Sequence, residues 1–214
     1  LRHEGKAIGQ TTTALYRGLL FHDLVSAWHH RGVMPKLALA RCAEDVGRKL
    51  IDERRPMTEA VVASLPDIQA EVVALAEHYV ARFREMFAKS HVWGVELPVR
   101  LTIDVDGTPA KFASHIDILY TDPAGVLCVD DWKTGDADWD GEHVARSMQL
   151  GMYFLALKYG SVQVDGEWVE FGAEPMLAFV DANALKPYNR KPTGKGDDGE
   201  EREFAKGDLR PMRA

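Results

Sequence analysis

Residues 1–90 carry hydrophobic side chains at the three- and four-residue spacing of α-helices. This spacing predicts one helix over residues 10–31, where the threonines at positions 11–13 can cap the first turn. A second helix is predicted over residues 36–54 and a third over residues 66–89, opened by a Pro–Asp pair. The N-terminal region is therefore predicted to be helical.

From Gly94 the pattern changes to short β-branched segments that alternate weakly and are separated by turn residues. Two strands joined by the turn "DGT" are predicted over residues 95–105 and 110–120. After the turn "TDPAG", the apolar run "VLCV" and the charged residues behind it predict a third strand over residues 126–133. These three consecutive strands predict a β-sheet that follows the helical region.

The remaining chain is predicted to hold one helix, a small hairpin and a further strand. The helix spans about residues 142–159 with Asp140 as its N-cap; the hairpin is "SVQVDGEWVEFG" and the strand is "EPMLAFVDA". This order predicts an α/β fold in which helices flank a mixed central β-sheet. We expect one domain over residues 1–185, with its sheet and later helix over residues 94–185, and a polar, flexible tail over residues 186–214.

Composition narrows the class of protein. Of 214 residues, 46% are hydrophobic and 28% charged, as in ordinary globular domains. No apolar run can span a bilayer and the N-terminal residues lack the apolar segment of a signal peptide, so we expect no membrane partner and a cytoplasmic location. Cys42 and Cys128 are too few to hold an iron–sulfur cluster. The net charge of −7 argues against indiscriminate nucleic-acid binding, but it does not exclude a local basic groove around an acidic metal site.

Three charged residues follow directly on the apolar run "VLCV", where burying an unpaired charge is costly. Asp131 and Lys133 project to one face of the predicted strand, and Asp130 to the other, where we expect it to be structural or solvated. The preceding turn brings Asp117 close to Asp131. Two such carboxylates are stable if a divalent cation lies between them or if one is protonated. Each pattern alone is more typical of a turn or an ion pair, so only their combination indicates a site.

Further residues extend this candidate site. His22 lies on an apolar helix face, where a lone histidine is more often a core residue than a ligand. Gln149 and Tyr153 are four residues apart and share one face of the later helix, with Arg146 about one turn earlier. For Glu96, ahead of the hairpin, two interpretations have equal weight: a role at the metal site, or a simple acid at the edge of a strand.

Together these segments resemble, in order, the motifs of the PD-(D/E)xK nuclease superfamily, and specifically its RecB-like branch of Cas-, AddB- and phage exonuclease-type proteins. "GLLFH", ending at His22, is similar to the Gly-x-x-x-His motif, and "HID", ending at Asp117, to the Gly-x-x-Asp strand. "VDDWKTG" resembles the Val-Asp-Tyr-Lys-Thr-Gly strand end, and "QLGMY" the Gln-x-x-x-Tyr helix. The resemblance spans residues 14–160 and implies a restriction-endonuclease-like fold.

The resemblance also implies roles. The residues implied to be catalytic are Asp117, Asp131 and Lys133, the lysine orienting the attacking water. Those implied to bind Mg²⁺ or Mn²⁺ are His22, Asp117, Asp131 and the main-chain carbonyl of Trp132. Those implied to hold a DNA phosphate are Arg146, Gln149 and Tyr153. On this interpretation replacing Asp131 abolishes cleavage, whereas replacing Asp130 leaves most of it.

The implied function is a Mg²⁺- or Mn²⁺-dependent deoxyribonuclease that hydrolyses phosphodiester bonds. An exonuclease is favoured because the Gln-x-x-x-Tyr motif is typical of end-processing relatives. DNA is the expected partner, and the implied setting of recombination, repair or phage DNA processing would add a helicase, recombinase or single-strand-binding protein. Two alternatives stay open: a non-catalytic DNA-binding or assembly subunit with this fold, and a Mg²⁺-dependent phosphohydrolase that acts on nucleotides.

Overall fold

Three helices open the computed structural model, which describes residues 10–135 and 146–183 together with the backbone of residues 210–212. The helices are α1 (Thr13–Arg31), α2 (Pro35–Asp52) and α3 (Glu59–Phe87). The Thr12 hydroxyl caps α1 by accepting a hydrogen bond from the Leu15 N–H at 3.1 Å. The helical N-terminal region and its threonine cap are therefore confirmed for the described residues.

The start of α3 differs from the predicted helix, which opened at Pro66. Instead, the Thr58 hydroxyl caps the helix by accepting the Val61 N–H at 3.3 Å, and Pro66 lies inside α3. A proline there removes one helical hydrogen bond, the one to the carbonyl of Val62. Because the Val62 side chain is 53% exposed, water can reach this part of the helix surface and hydrate that carbonyl.

The strands of the described residues form one mixed sheet. They are β1 (His91–Val105), β2 (Thr108–Thr121), β3 (Leu127–Lys133), β4 (Ser161–Val164), β5 (Glu167–Val169), β6 (Met176–Asp181) and β7 (Arg210–Met212). Their order across the sheet is β5-β4-β1-β2-β3-β6-β7. Only β3 and β6 pair in parallel, and the connection between them contains α4 (Met148–Tyr159). The predicted α/β architecture is confirmed, while the predicted helix start near Glu142 and the Asp140 cap lie outside the described residues.

Two hydrophobic clusters cover the two faces of the sheet. On one face α1 and α3 pack against Ile118, Tyr120 and Trp132, and α2 joins the same cluster through its contacts with α1 and α3. On the other face α4 packs against Val129 and Phe179. Strand β3 therefore sends alternate side chains into different clusters, and its last residues reach both layers.

The C-terminal tail was predicted to be loop-like, and this is wrong for residues 210–212. They form β7, which pairs antiparallel with β6 and places Pro211 opposite Ala178. A proline cannot donate to a ladder but is accepted on an edge strand. The polar composition of the surrounding tail concealed this strand.

Among the described residues, no helix combines the length and apolar character needed to cross a membrane.

Candidate cation and phosphodiester site

Adjacent strands β2 and β3 bring the two predicted carboxylates together. Their register pairs Ile118 with Asp130, and Asp117 and Asp131 are the next residues along the two strands. Both carboxylates are buried, at 6% and 1% exposure. Burial, and after it the nearby negative charge of Asp131, raises the pKa of Asp117, so the two carboxylates lie close together.

The main chain of Trp132 is held from two sides at this position. Its N–H donates to Asp117 Oδ2 at 2.6 Å, and its carbonyl oxygen lies 3.3 Å from Nε2 of His22. The indole ring is buried among the aromatic side chains of the helical layer, 6.4 Å from the ring centre of Phe21. Strand β3 thus presents a carbonyl oxygen to the site while its side chain anchors the strand.

Both ring nitrogens of His22 face oxygen acceptors. Nδ1 lies 2.9 Å from Glu96 Oε1 and 3.7 Å from Asp117 Oδ1, while Nε2 faces the Trp132 carbonyl. Burial lowers the pKa of His22, but the hydrogen bond to Glu96 and the charges of Asp117 and Glu96 outweigh it and raise the pKa to about 9. His22 is therefore protonated at neutral pH, with one ring N–H toward Glu96 and the other toward the Trp132 carbonyl.

Glu96 reaches the site through an irregular stretch of β1. Its backbone is left-handed, with φ of 52°, which is uncommon for a residue other than glycine. Val95 packs in the helix-side cluster and Leu97 in the α4-side cluster, although residues two apart in a regular strand share one face. Alternation cannot predict such a turn, and nothing else in the sequence indicates that Glu96 contacts His22.

Lys133 starts a chain of polar contacts toward α4. Its ammonium group pairs with Asp131 and donates to Gln149 Oε1 at 3.1 Å. Gln149 Nε2 in turn donates to the Tyr153 hydroxyl at 2.8 Å, and that hydroxyl donates to the main-chain oxygen of His115 at 2.6 Å. Gln149 of the predicted i, i+4 pair therefore contacts Lys133 directly, and Tyr153 is linked to the lysine through Gln149, which spacing alone did not reveal.

The donor set fits a divalent cation. One atom from each of His22, Glu96 and Asp117 lies within 4.8 Å of the others. Asp131 stands outside this group and pairs with Lys133, but its buried Oδ1 has no hydrogen-bond partner in the described part of the chain. Burial, together with neighbouring negative charge, raises the pKa of both Asp117 and Asp131. A cation bound among these oxygens would offset both the burial and the repulsion.

Asp130 projects to the opposite face of β3, as predicted, but it is not solvated. It is 2% exposed, and the Tyr120 hydroxyl donates to its Oδ1 at 3.3 Å. Burial raises the pKa of Asp130 to about 7. Asp130 is therefore a buried polar group of the helical layer, separated from Asp131 by the sheet.

The structure places Arg146 differently from its predicted position. Ser147 is the N-cap of α4, so Arg146 precedes the helix instead of lying within it one turn before Gln149. Its side chain is exposed.

Sequence reasoning also missed a contact that supports the end of β3. The Asn183 amide donates to the main-chain oxygens of Thr134 and Gly135 at 3.0 and 2.9 Å, and Arg17 of α1 contacts Asn183. An asparagine after a strand carries no sequence signal for this role.

Comparison with known proteins agrees with this geometry. No curated protein sequence matches the chain. A family model described as the PD-(D/E)XK nuclease superfamily matches residues 1–208, which is almost the whole chain and includes every residue of the candidate site. The chain belongs to the PD-(D/E)XK nuclease superfamily.

Proposed function

We propose that the chain is a metal-dependent DNA nuclease that hydrolyses phosphodiester bonds. Superfamily membership suggests nuclease activity. The observation that carries the proposal is the placement of Asp117 and Asp131 on adjacent strands, with Lys133 beside them and His22 facing them from α1. Two buried carboxylates and a lysine suit the handling of a cation, a water molecule and a phosphate together.

The cation would be held by side chains from three elements. The proposed ligands are His22, Glu96, Asp117, Asp131 and the carbonyl oxygen of Trp132. These are mainly oxygen atoms, which favour Mg²⁺ or Mn²⁺. When bound, such a cation lowers the pKa of a coordinated water and stabilises negative charge on a phosphate. To act as a ligand, His22 must release a ring proton, whereas the carboxylates must be ionised.

Lys133 would orient the attacking water. Its ammonium group is fixed by Asp131 on one side and by Gln149 Oε1 at 3.1 Å on the other. Only 21% of the lysine side chain is exposed, so few alternative positions are open to it. Gln149 and Tyr153 would position the scissile phosphate, with Arg146 supplying charge from the segment before α4.

An exonuclease of the RecB-like branch is the more specific proposal. The contact between Gln149 and Lys133 supports it, because the Gln-x-x-x-Tyr motif typical of end-processing relatives meets the proposed catalytic lysine here. The corresponding setting is recombination, repair or phage DNA processing, in a cytoplasm. A helicase, a recombinase or a single-strand-binding protein is the kind of protein partner expected.

A substrate panel tests this proposal. The full chain is incubated with linear duplex, circular duplex and single-stranded DNA and with free nucleotides, in Mg²⁺, in Mn²⁺ and in EDTA. We expect metal-dependent hydrolysis of DNA with free ends. Lys133→Ala should lower the rate about 10²–10⁴-fold, as for loss of a proton-transfer group. Lys158→Ala, on the far end of α4, is the matched control.

Each other outcome points to one alternative. DNA binding without hydrolysis in either metal would support the non-catalytic subunit. Hydrolysis of nucleotides but not of DNA would support a nucleotide phosphohydrolase. Cleavage of circular DNA at the same rate as linear DNA would contradict the exonuclease while leaving the nuclease intact.

A further inference from the structure

A groove borders the candidate site on the α4 face of the sheet. Its volume is about 450 Å³, within the range of pockets that hold small ligands. The lining residues that define its chemistry are Ile103, Phe112, Met148, Gln149 and Met152.

The groove exists because α4 covers only part of the hairpin formed by β1 and β2. Val99 and Leu101 are buried in the α4-side cluster, but Ile103, next along the same face, is only half-buried. Phe112, paired with Leu101 on the neighbouring strand, is also half-buried. Met148, the first residue of α4, is 81% exposed. An apolar surface therefore continues beyond the start of the helix, as binding sites often do.

Gln149 joins this groove to the candidate site. The same side chain lines the groove and accepts a hydrogen bond from Lys133 at 3.1 Å. A DNA strand with its scissile phosphate beside Lys133 would therefore bring a neighbouring nucleotide to the groove.

We propose that this groove binds the base of a nucleotide next to the scissile phosphate, so that unpaired DNA is the preferred substrate. The proposal rests on the proposed nuclease function. The apolar wall of the groove, made by Phe112, Met148 and Met152, suits the flat face of a base. In a duplex that face is hidden in the stack, and it becomes available only in a single strand or a frayed end.

Two single-stranded substrates of equal length test the proposal: a thymidine oligonucleotide and an abasic oligonucleotide with the same number of phosphates. Hydrolysis in Mg²⁺ gives kcat and KM, and fluorescence anisotropy in EDTA gives binding. For the wild type we expect KM and Kd to be about tenfold lower with bases than without, the effect of one stacked base. This preference should disappear in Phe112→Ala/Met148→Ala.

The matched control is Val105→Ala/Tyr159→Ala, which removes exposed apolar side chains of the same hairpin and helix outside the groove. It should keep the preference. Met148→Ala alone, at a largely exposed position, should fold normally and weaken the preference. The proposal is overturned if the wild type treats both oligonucleotides alike, or if the groove variants keep the preference of the control.

Failure of the groove and failure of the nuclease give different results. Equal cleavage of both oligonucleotides leaves the nuclease function intact and removes the base site. Base-dependent binding in EDTA without hydrolysis in any metal keeps the base site and removes the nuclease.

Discussion

Glu96 of the candidate site has a left-handed backbone conformation, which is uncommon for a residue other than glycine. A left-handed conformation at a residue other than glycine costs of order 1–3 kcal/mol, and Glu96 adopts it with φ of 52°. Glycine would relieve this strain but would remove the carboxylate that lies 2.9 Å from His22. The strain at this position therefore accompanies a carboxylate that contacts His22.

Glu96→Gln should therefore weaken cation binding more than it weakens the fold. Loss of the charge removes one proposed ligand, and we expect the Kd for Mn²⁺ to rise about 10–100-fold by isothermal titration calorimetry. Glu167→Gln, at an exposed glutamate of strand β5, is the control and should leave the Kd unchanged. An unchanged Kd in Glu96→Gln would remove Glu96 from the set of ligands.

The predictability of these residues from sequence depended on regular geometry. The expectation that Asp117, Asp131 and Lys133 lie together rests on regular geometry, because a hairpin and strand alternation indicate which side chains meet. The Glu96 contact was not found because it requires a local departure from alternation. The burial of Asp130 was not found because it depends on Tyr120, a partner on the neighbouring strand.

At the scale of elements, the end of α4 is fixed by a close backbone approach at Gly160. A Cβ atom at this position would lie 2.3 Å from the carbonyl oxygen of Arg100 and 2.9 Å from that of Ala156. Both neighbours are backbone, so neither can turn aside. The glycine is therefore required where α4 passes against β1.

Gly160→Ala should destabilise the protein by about 1–3 kcal/mol or more, since a methyl group is forced against backbone. Gly151→Ala, inside α4 with open space around its Cβ position, should instead stabilise by about 0.5–1 kcal/mol. Urea unfolding of both variants provides the comparison. Equal stability of the two would show that the approach at Gly160 relaxes without cost.

The elements that sequence located well have strong periodic signals of their own. The helix α1 and the strands β1 to β3 belong to this group. The start of α3 was misplaced because the Thr58 cap lies ahead of Pro66, and a proline inside a helix resembles a proline at its start. Strand β7 was missed because its three residues, with a proline among them, become a strand only by pairing with β6.

In the whole molecule, His29 of α1 links the helical layer to the sheet by contacting Trp132 of β3. Its ring stacks parallel to that of Trp132 at 6.1 Å, and Nε2 lies 3.1 Å from the Tyr79 hydroxyl. Burial, with a smaller contribution from His30, lowers the pKa of His29 from 6.5 to about 3. His29 is therefore neutral in the folded protein over the physiological pH range.

This burial makes stability depend on pH with a defined sign. Below pH 6.5 the unfolded chain binds a proton at His29 and the folded chain does not, so the free energy of unfolding falls as pH falls toward 3. The slope is about 1.4 kcal/mol per pH unit, or about 2 kcal/mol between pH 6.5 and pH 5.

Urea unfolding of the wild type and His29→Gln at pH 7 and pH 5 measures this contribution. The difference between the two proteins should shift by about 2 kcal/mol in favour of the variant at pH 5. Buried carboxylates such as Asp130, whose pKa is raised to about 7, act in the opposite direction, but they are present in both proteins and cancel. A difference that does not change with pH would contradict a neutral, half-buried His29.

Under the proposed function, phosphodiester hydrolysis occurs on the α4 face of β3, at Asp131. Asp130 is an ideal comparison because it is the adjacent residue, equally buried, on the opposite face. The most direct measurement is the initial rate of linear DNA hydrolysis in Mg²⁺ by Asp131→Asn and Asp130→Asn, each shown to be folded by thermal unfolding. We expect Asp131→Asn to lose at least about 100-fold in rate and Asp130→Asn to keep most of it. Hydrolysis by Asp131→Asn at the wild-type rate would contradict the account.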